Sequence, residues 1–260
     1  MADSIFGPMV DAVYAHPENY GLFDTWVAIL SFSGQIYYDF SGYSLCAIGL
    51  AMSFGFCFPD NFRHPYGAQS FSDFWRRWHI SLSSWLRDYL YIPLGGNRHG
   101  EFRTYLALFM TMLIGGLWHG ASWMFVLWGG LHGTYLAIER AFRGVTISNY
   151  LSAQGKSALI FLVVSLTWVP FRATTPDQAI AILRGLSNIT QADLPYVPRL
   201  IAVAAILLTI RWHFLLKESC IEDVFMKLGQ ATRIAVIALS LIGIYLCSGG
   251  NSNAFIYFQF

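Results

Sequence analysis

An ionisable side chain inside a long uncharged stretch is the first candidate for chemistry in this sequence. His119 lies within residues 104–138, 35 residues without Asp, Glu, Lys or Arg. Burying a polar group without a partner costs roughly 1–3 kcal/mol, so an ionisable residue at such depth is a candidate for function. Desolvation favours the neutral imidazole that a general base requires, and Gly115, Gly116 and Gly120 leave room for a helix or a substrate. The alternative, a structural histidine bonded to a carbonyl of another helix, stays open.

A second histidine, His79, lies in a segment with helical amphipathic spacing. The apolar residues of this segment, residues 71–89, fall in one arc of a helix: Phe71, Phe74, Trp75, Trp78, Leu82, Trp85, Leu86 and Tyr89. The spacing predicts one helix that lies in the membrane interface, with Ser70 or Ser72 as its N-cap. His79 stands at the boundary of the two faces and gains a role only if this edge meets an intramembrane cavity. A simple membrane-surface anchor is the alternative.

Other chemistries find no support in the sequence. There is no G-x-S-x-G, no G-x-G-x-x-G and no P-loop, and neither the seven histidines nor the four scattered cysteines have metal-ligand spacing. His132, in the segment GGLHG, shares the uncharged surroundings of His119, but there a structural role is favoured. Sixteen basic and 15 acidic residues give a net charge of +1, which provides no electrostatic footprint for nucleic acid, since that would need a clustered basic surface.

The elements that must position these histidines are membrane helices. The chain has 260 residues, 55% hydrophobic, 17% aromatic and only 12% charged, against about 25% charged in an ordinary soluble domain. Apolar stretches at residues 25–59, 104–138, 157–171, 196–216 and 234–246 predict five to seven membrane helices in one all-α domain. The first stretch holds one long helix or two broken near Gly42, and the glycine pairs at 115–116 and 129–130 with Gly120 are the expected breaks in the second.

Five long strings make the chain resemble the membrane-bound O-acyltransferase family, and within it the membrane subunit of alginate O-acetylases. They are residues 35–44 (QIYYDFSGYS), 73–83 (DFWRRWHISLS), 87–97 (RDYLYIPLGGN), 115–123 (GGLWHGASW) and 255–260 (FIYFQF). The resemblance implies a polytopic helical bundle around a buried tunnel, in the bacterial inner membrane. It also implies that His119 is the catalytic residue and His79 the second polar residue of the active site.

The resemblance further implies the substrates and partners. The donor would be acetyl-CoA or another acyl thioester from the cytoplasm, with no tightly bound cofactor and no metal. The acceptor would be an exported polysaccharide such as alginate, reached through a periplasmic partner protein. Candidate residues for binding the donor or substrate are Arg76, Arg77, Arg87, Asn97 and Trp118, although helix anchoring explains the arginines equally well.

Family members are nearly twice as long as this chain, and residues 1–260 match only their C-terminal part. We therefore expect the N-terminal helices that form the other tunnel wall to be missing and residues 1–260 alone to transfer no acyl group. A catalytically inactive scaffold of a polysaccharide-export complex is the main alternative. A transporter is less supported, because no charged relay lies within the predicted spans.

Overall fold

The fold is helical wherever it is described. The computed structural model describes residues 1–142, 151–189, 194–216 and 221–247, and every regular element in these ranges is a helix. The α-helices are α1 (Gly7–Ala15), α2 (Leu22–Ser53), α3 (Phe71–Arg77), α4 (Ile80–Leu86), α5 (Glu101–His119), α6 (Trp123–Ala141), α7 (Ala153–Arg172), α8 (Pro176–Gly185), α9 (Tyr196–Leu216), α10 (Ile221–Lys227) and α11 (Gln230–Cys247). The predicted all-α class is confirmed for these residues, and the predicted string 255–260 lies outside them.

The long helices follow the predicted apolar stretches. Of these, α7 and α9 have both the length and the composition of a membrane-spanning helix. The first stretch forms one helix, α2, of 32 residues, about 48 Å long at 1.5 Å per residue, and Gly42 does not break it. The number of membrane helices, five to seven, stays a prediction.

The uncharged stretch 104–138 folds into two packed helices, α5 and α6, but most of the predicted glycine breaks are wrong. The chain leaves α5 after His119, and Ser122 caps α6 by accepting a hydrogen bond from the Met124 N–H at 3.2 Å. Gly116 and Gly129 lie inside the helices instead. A Cβ at Gly116 would overlap the carbonyl oxygen of Phe125, and one at Gly129 that of Met112. These glycines therefore allow the two helix backbones to touch.

The segment 71–89 was predicted as one helix, and this is wrong because the helix is interrupted at His79. His79 adopts a left-handed conformation with φ of 44° between α3 and α4. The preceding loop holds this break through two backbone hydrogen bonds. The Arg63 N–H donates to the carbonyl of Arg77, and the Ile80 N–H donates to that of Asn61, both at 2.9 Å. Hydrogen bonds from the loop thus replace those of a continuous helix.

The start of α3 matches the prediction and gains a tertiary contact. Ser70 is the N-cap, and its hydroxyl accepts the Asp73 N–H at 3.0 Å. The carboxylate of Glu139, on α6, accepts the backbone N–H groups of Phe71 and Ser72. An anion at a helix N-terminus accepts hydrogen bonds from the unpaired N–H groups and interacts favourably with the helix dipole. Glu139 of α6 therefore holds the first turn of α3 in place.

Aromatic residues form the centre of the core. The rings of Trp128 and Trp168 stack with centroids 5.8 Å apart, and Trp78 lies 5.1 Å from Trp168. Phe74 stacks on Trp78 at 5.6 Å. Much of the apolar arc of residues 71–89, including Phe74 and Trp78, is therefore buried against α6 and α7.

Candidate active site

His119 is the last residue of α5 and lies in a cage of aromatic rings. The ring centroid of His119 is 5.1 Å from that of Trp128, 5.2 Å from that of Phe171 and 6.2 Å from that of Phe125. The side chain is half-buried, so the cage limits contact with water without closing the site. A site of this kind suits an imidazole that exchanges a proton with a bound substrate.

His79 occupies the break between α3 and α4 and is buried. Its ring lies 4.6 Å from the ring of Phe40, and its Nδ1 is 3.2 Å from Oδ1 of Asn61 and 3.3 Å from Oγ of Ser81. Burial lowers the pKa of the His79 imidazole below its ordinary value, because the charged form is desolvated. His79 is therefore neutral at pH 7.

Trp118 brings the two histidines into one site. Its ring centroid lies 5.1 Å from that of His119 and 6.3 Å from that of His79. Trp118 is 59% exposed, so a ligand has access to the ring that contacts both histidines. Of the predicted site residues, His79, His119 and Trp118 form this cluster.

The predicted arginines divide between two environments. Arg76 and Arg87 line a cavity of about 440 Å³ between the α3–α4 segment and the α5–α6 pair, with Ser72, Ser83 and Ser84 beside them. Leu86, Leu108, Met112 and Leu136 form much of its apolar wall. Arg77 does not line the cavity; its Nε donates to Asp73 at 2.8 Å.

Asn97 lies apart from both the histidine cluster and the cavity. It is an exposed residue of the turn that follows the π-helical residues Arg87–Tyr91. The described contacts therefore give Asn97 no part in a substrate site, and its predicted role stays a prediction.

His132 lies behind the site. It is completely buried, 4.9 Å from the Trp128 ring and 5.0 Å from the Trp75 ring. Because Trp128 also contacts His119, the packing around His132 supports the wall of the cage, as the structural interpretation of this residue expects.

Asn61 is a site residue that the sequence analysis missed. It contacts His79 through its side chain and the residue after His79 through its backbone. It belongs to a loop without periodic pattern, 18 residues before His79. No signal in the sequence alone pairs the two positions.

The fold and site together define a class: a bundle of long apolar helices that holds two histidines, at helix ends, around the ring of one tryptophan. No group of three or more His, Cys, Asp or Glu side chains that could hold a metal occurs in the described ranges. The chemistry available there is proton transfer by imidazole.

The chain belongs to the membrane-bound O-acyltransferase family, whose sequence model matches residues 7–171. It is therefore a membrane protein. A probable alginate O-acetylase of Azotobacter vinelandii is 51% identical over 179 residues, which are 69% of this chain and 35% of that protein. A peptidoglycan O-acetyltransferase of Helicobacter pylori is 43% identical over 176 residues, 67% of this chain and 33% of that protein.

A more distant relative acts on a different polymer. A teichoic acid D-alanyltransferase of Streptococcus thermophilus is 34% identical over 115 residues, 42% of this chain and 28% of that protein. The chain spans about a third of the length of the curated relatives that it matches. The predicted resemblance to this family and to alginate O-acetylases is confirmed.

Proposed function

We propose that the chain carries the active site of an O-acyltransferase that transfers an acyl group, expected to be acetyl, from a thioester to a hydroxyl of an exported polysaccharide. The observation that carries the proposal is the cluster of His79, Trp118 and His119 within the residues matched by the family. The relatives named for alginate and peptidoglycan acetylation support a polysaccharide acceptor.

In the proposed reaction, His119 acts as general base. It takes the proton of the attacking hydroxyl while the oxygen bonds to the thioester carbonyl carbon. The C–S bond then breaks, and the proton returns to the departing thiolate, so no net proton is consumed. The rings of Trp128 and Phe171 around His119 restrict water, which would otherwise hydrolyse the thioester.

We also propose how the donor and the acceptor reach the site across the membrane. Donor and acceptor meet in a tunnel at His119, the donor from the cytoplasmic side and the acceptor from the periplasmic side of the inner membrane, where a partner protein completes transfer to the polymer. We also propose that residues 71–91 lie at the membrane interface, which the large exposed aromatic surfaces of Trp85 and Tyr89 near Arg87 support.

A gene deletion tests the function. We expect the exported polysaccharide of the deletion strain to lose its O-acetyl groups, measured by mass spectrometry, while the amount of polymer is unchanged. Reintroducing the wild-type gene restores them. Normal acetylation with reduced polymer export would instead favour the catalytically inactive scaffold.

Arg76 and Arg87 are proposed to hold the anionic part of the donor at the cavity. We expect Arg76→Gln to raise KM for acetyl-CoA by about threefold to tenfold, as a lost charge-assisted hydrogen bond of roughly 0.7–1.4 kcal/mol would. Acetyl-pantetheine, which lacks the phosphates, should show no change. Arg98→Gln, in an exposed turn outside the cavity, is the matched control. An equal rise in KM for both donors in Arg76→Gln would contradict a phosphate contact.

A further inference from the structure

The side chain of Asn61 joins three elements of the candidate site. Its Nδ2 donates to Oγ of Ser44 on α2 at 3.1 Å. Its Oδ1 faces α4, where it accepts the Ser81 N–H at 3.2 Å and the Ser81 hydroxyl at 2.9 Å. The same oxygen lies 3.2 Å from Nδ1 of His79. A single amide thus links α2, α4 and the histidine at the helix break.

These contacts determine which way the amide points. A backbone N–H can only donate, so the Asn61 atom that faces the N–H of Ser81 must be the carbonyl oxygen. The reversed amide would set two donors against each other at the Ser81 N–H and lose that hydrogen bond. The orientation therefore follows from the contacts of Ser81 and does not depend on the protonation of His79.

The orientation of Asn61 in turn determines the proton on His79. A carbonyl oxygen only accepts, and the Ser81 hydroxyl already donates to it at 2.9 Å, so a hydrogen bond between this oxygen and His79 Nδ1 places the hydrogen on Nδ1. A neutral imidazole has one N–H, which leaves Nε2 with a lone pair. Within the described part of the chain, the polar contacts of the ring are all on the Nδ1 side, so Nε2 is left for a substrate.

We propose that Asn61 is a positioning residue that holds His79 in the Nδ1–H tautomer, so that Nε2 accepts a hydrogen bond from a second hydroxyl of the polysaccharide acceptor, beside the hydroxyl that His119 deprotonates. This inference rests on the proposed function and refines it. In this tautomer His79 cannot donate to the thioester carbonyl. It therefore orients the acceptor rather than polarising the donor, and the two histidines bind neighbouring hydroxyls of one acceptor.

The tautomer can be measured without an activity assay. In the wild-type protein labelled with ¹⁵N-histidine at pH 7, NMR should show His79 with a protonated Nδ1 and an unprotonated Nε2. The signal is assigned as the one lost in His79→Gln. A protonated Nε2 in the wild-type protein would overturn the proposal, and this measurement needs no change at Asn61.

Variants of Asn61 test the cause. In Asn61→Leu the Ser81 hydroxyl loses its acceptor and turns to Nδ1 of His79, 3.3 Å away, so we expect the hydrogen to move to Nε2. Asn61→Asp keeps an acceptor oxygen and should keep the wild-type tautomer. Ser44→Ala, which removes only the partner on the far side of the amide, is the matched control and should also keep it. An unchanged tautomer in Asn61→Leu would refute the role of Asn61.

Kinetics separate this proposal from the proposed function. Asn61→Leu should lower acyl transfer by about 10²-fold, the lower range for general acid–base groups, while Asn61→Asp retains more activity than Asn61→Leu. A wild-type protein that has the expected tautomer but stays inactive in acyl transfer when the family's N-terminal helices are co-expressed would count against the function alone. A shifted tautomer in Asn61→Leu with an unchanged rate would count against the importance of Nε2.

Discussion

Replacing His119 by alanine is expected to lower acyl transfer by about 10²–10⁴-fold, the contribution of a lost general base. The imidazole is half-buried among aromatic rings, where water cannot readily take its place as base. The measurement is single-turnover transfer of a radiolabelled acyl group in membranes, with the substitution made at the chromosomal locus. Expression and membrane insertion should be unchanged, because the substitution removes a polar group from an apolar stretch.

The control for this substitution is His99→Ala, because His99 is an exposed histidine of the turn before α5. It should leave the rate unchanged. Transfer at the wild-type rate in His119→Ala would remove His119 from the chemistry.

The second large effect is expected at His79. We expect His79→Ala to lower transfer by an amount equal to or smaller than His119→Ala. The double variant should be no slower than the slower single variant, because residues that act as a unit on one bound acceptor are strongly non-additive. The measurement is the same single-turnover rate for all three variants. If the two losses multiply in the double variant, the histidines act in separate steps and the shared site is wrong.

The backbone at residue 79 affects how this variant must be judged. His79 has a positive φ of 44°, which alanine adopts less readily than histidine or asparagine. His79→Asn keeps a residue that tolerates this conformation but lacks an imidazole. A similar rate in the alanine and asparagine variants would assign the loss to the missing ring, whereas recovery in the asparagine variant would assign it to the backbone.

The importance of His119 and the positions of most long helices could be predicted from the sequence, because both depend on local composition. His119 is conspicuous as an ionisable residue in 35 uncharged ones, and the apolar stretches gave most of the long helices. The break at His79 could not be predicted, because the 71–89 spacing fits a continuous helix. The break depends on hydrogen bonds from Asn61 and Arg63, residues that are distant in sequence.

The role of the glycines in α5 and α6 also could not be predicted from the sequence alone. A glycine pair in an apolar stretch has two structural uses, as a helix break or as a contact between helix backbones, and the choice depends on the neighbouring helix. Only Gly120 lies at the break, while Gly116 and Gly129 lie where α5 and α6 touch. Asn97 was predicted at the site because it belongs to a string shared with the family. It lies outside the cluster and the cavity, so a shared string does not by itself place each of its residues at the site.

The contact between α5 and α6 has a consequence for how substitutions in this protein are tolerated. The carbonyl oxygens of Phe125 and Met112 occupy the space that any side chain at Gly116 or Gly129 would need, and backbone atoms cannot move aside as side chains do. His119 lies at the end of α5, about one helical turn after Gly116. A displacement of the backbone at Gly116 would therefore also move the imidazole. A residue-by-residue tolerance map would therefore mark both glycines as severely as the histidines, although neither glycine has a side chain to offer a substrate.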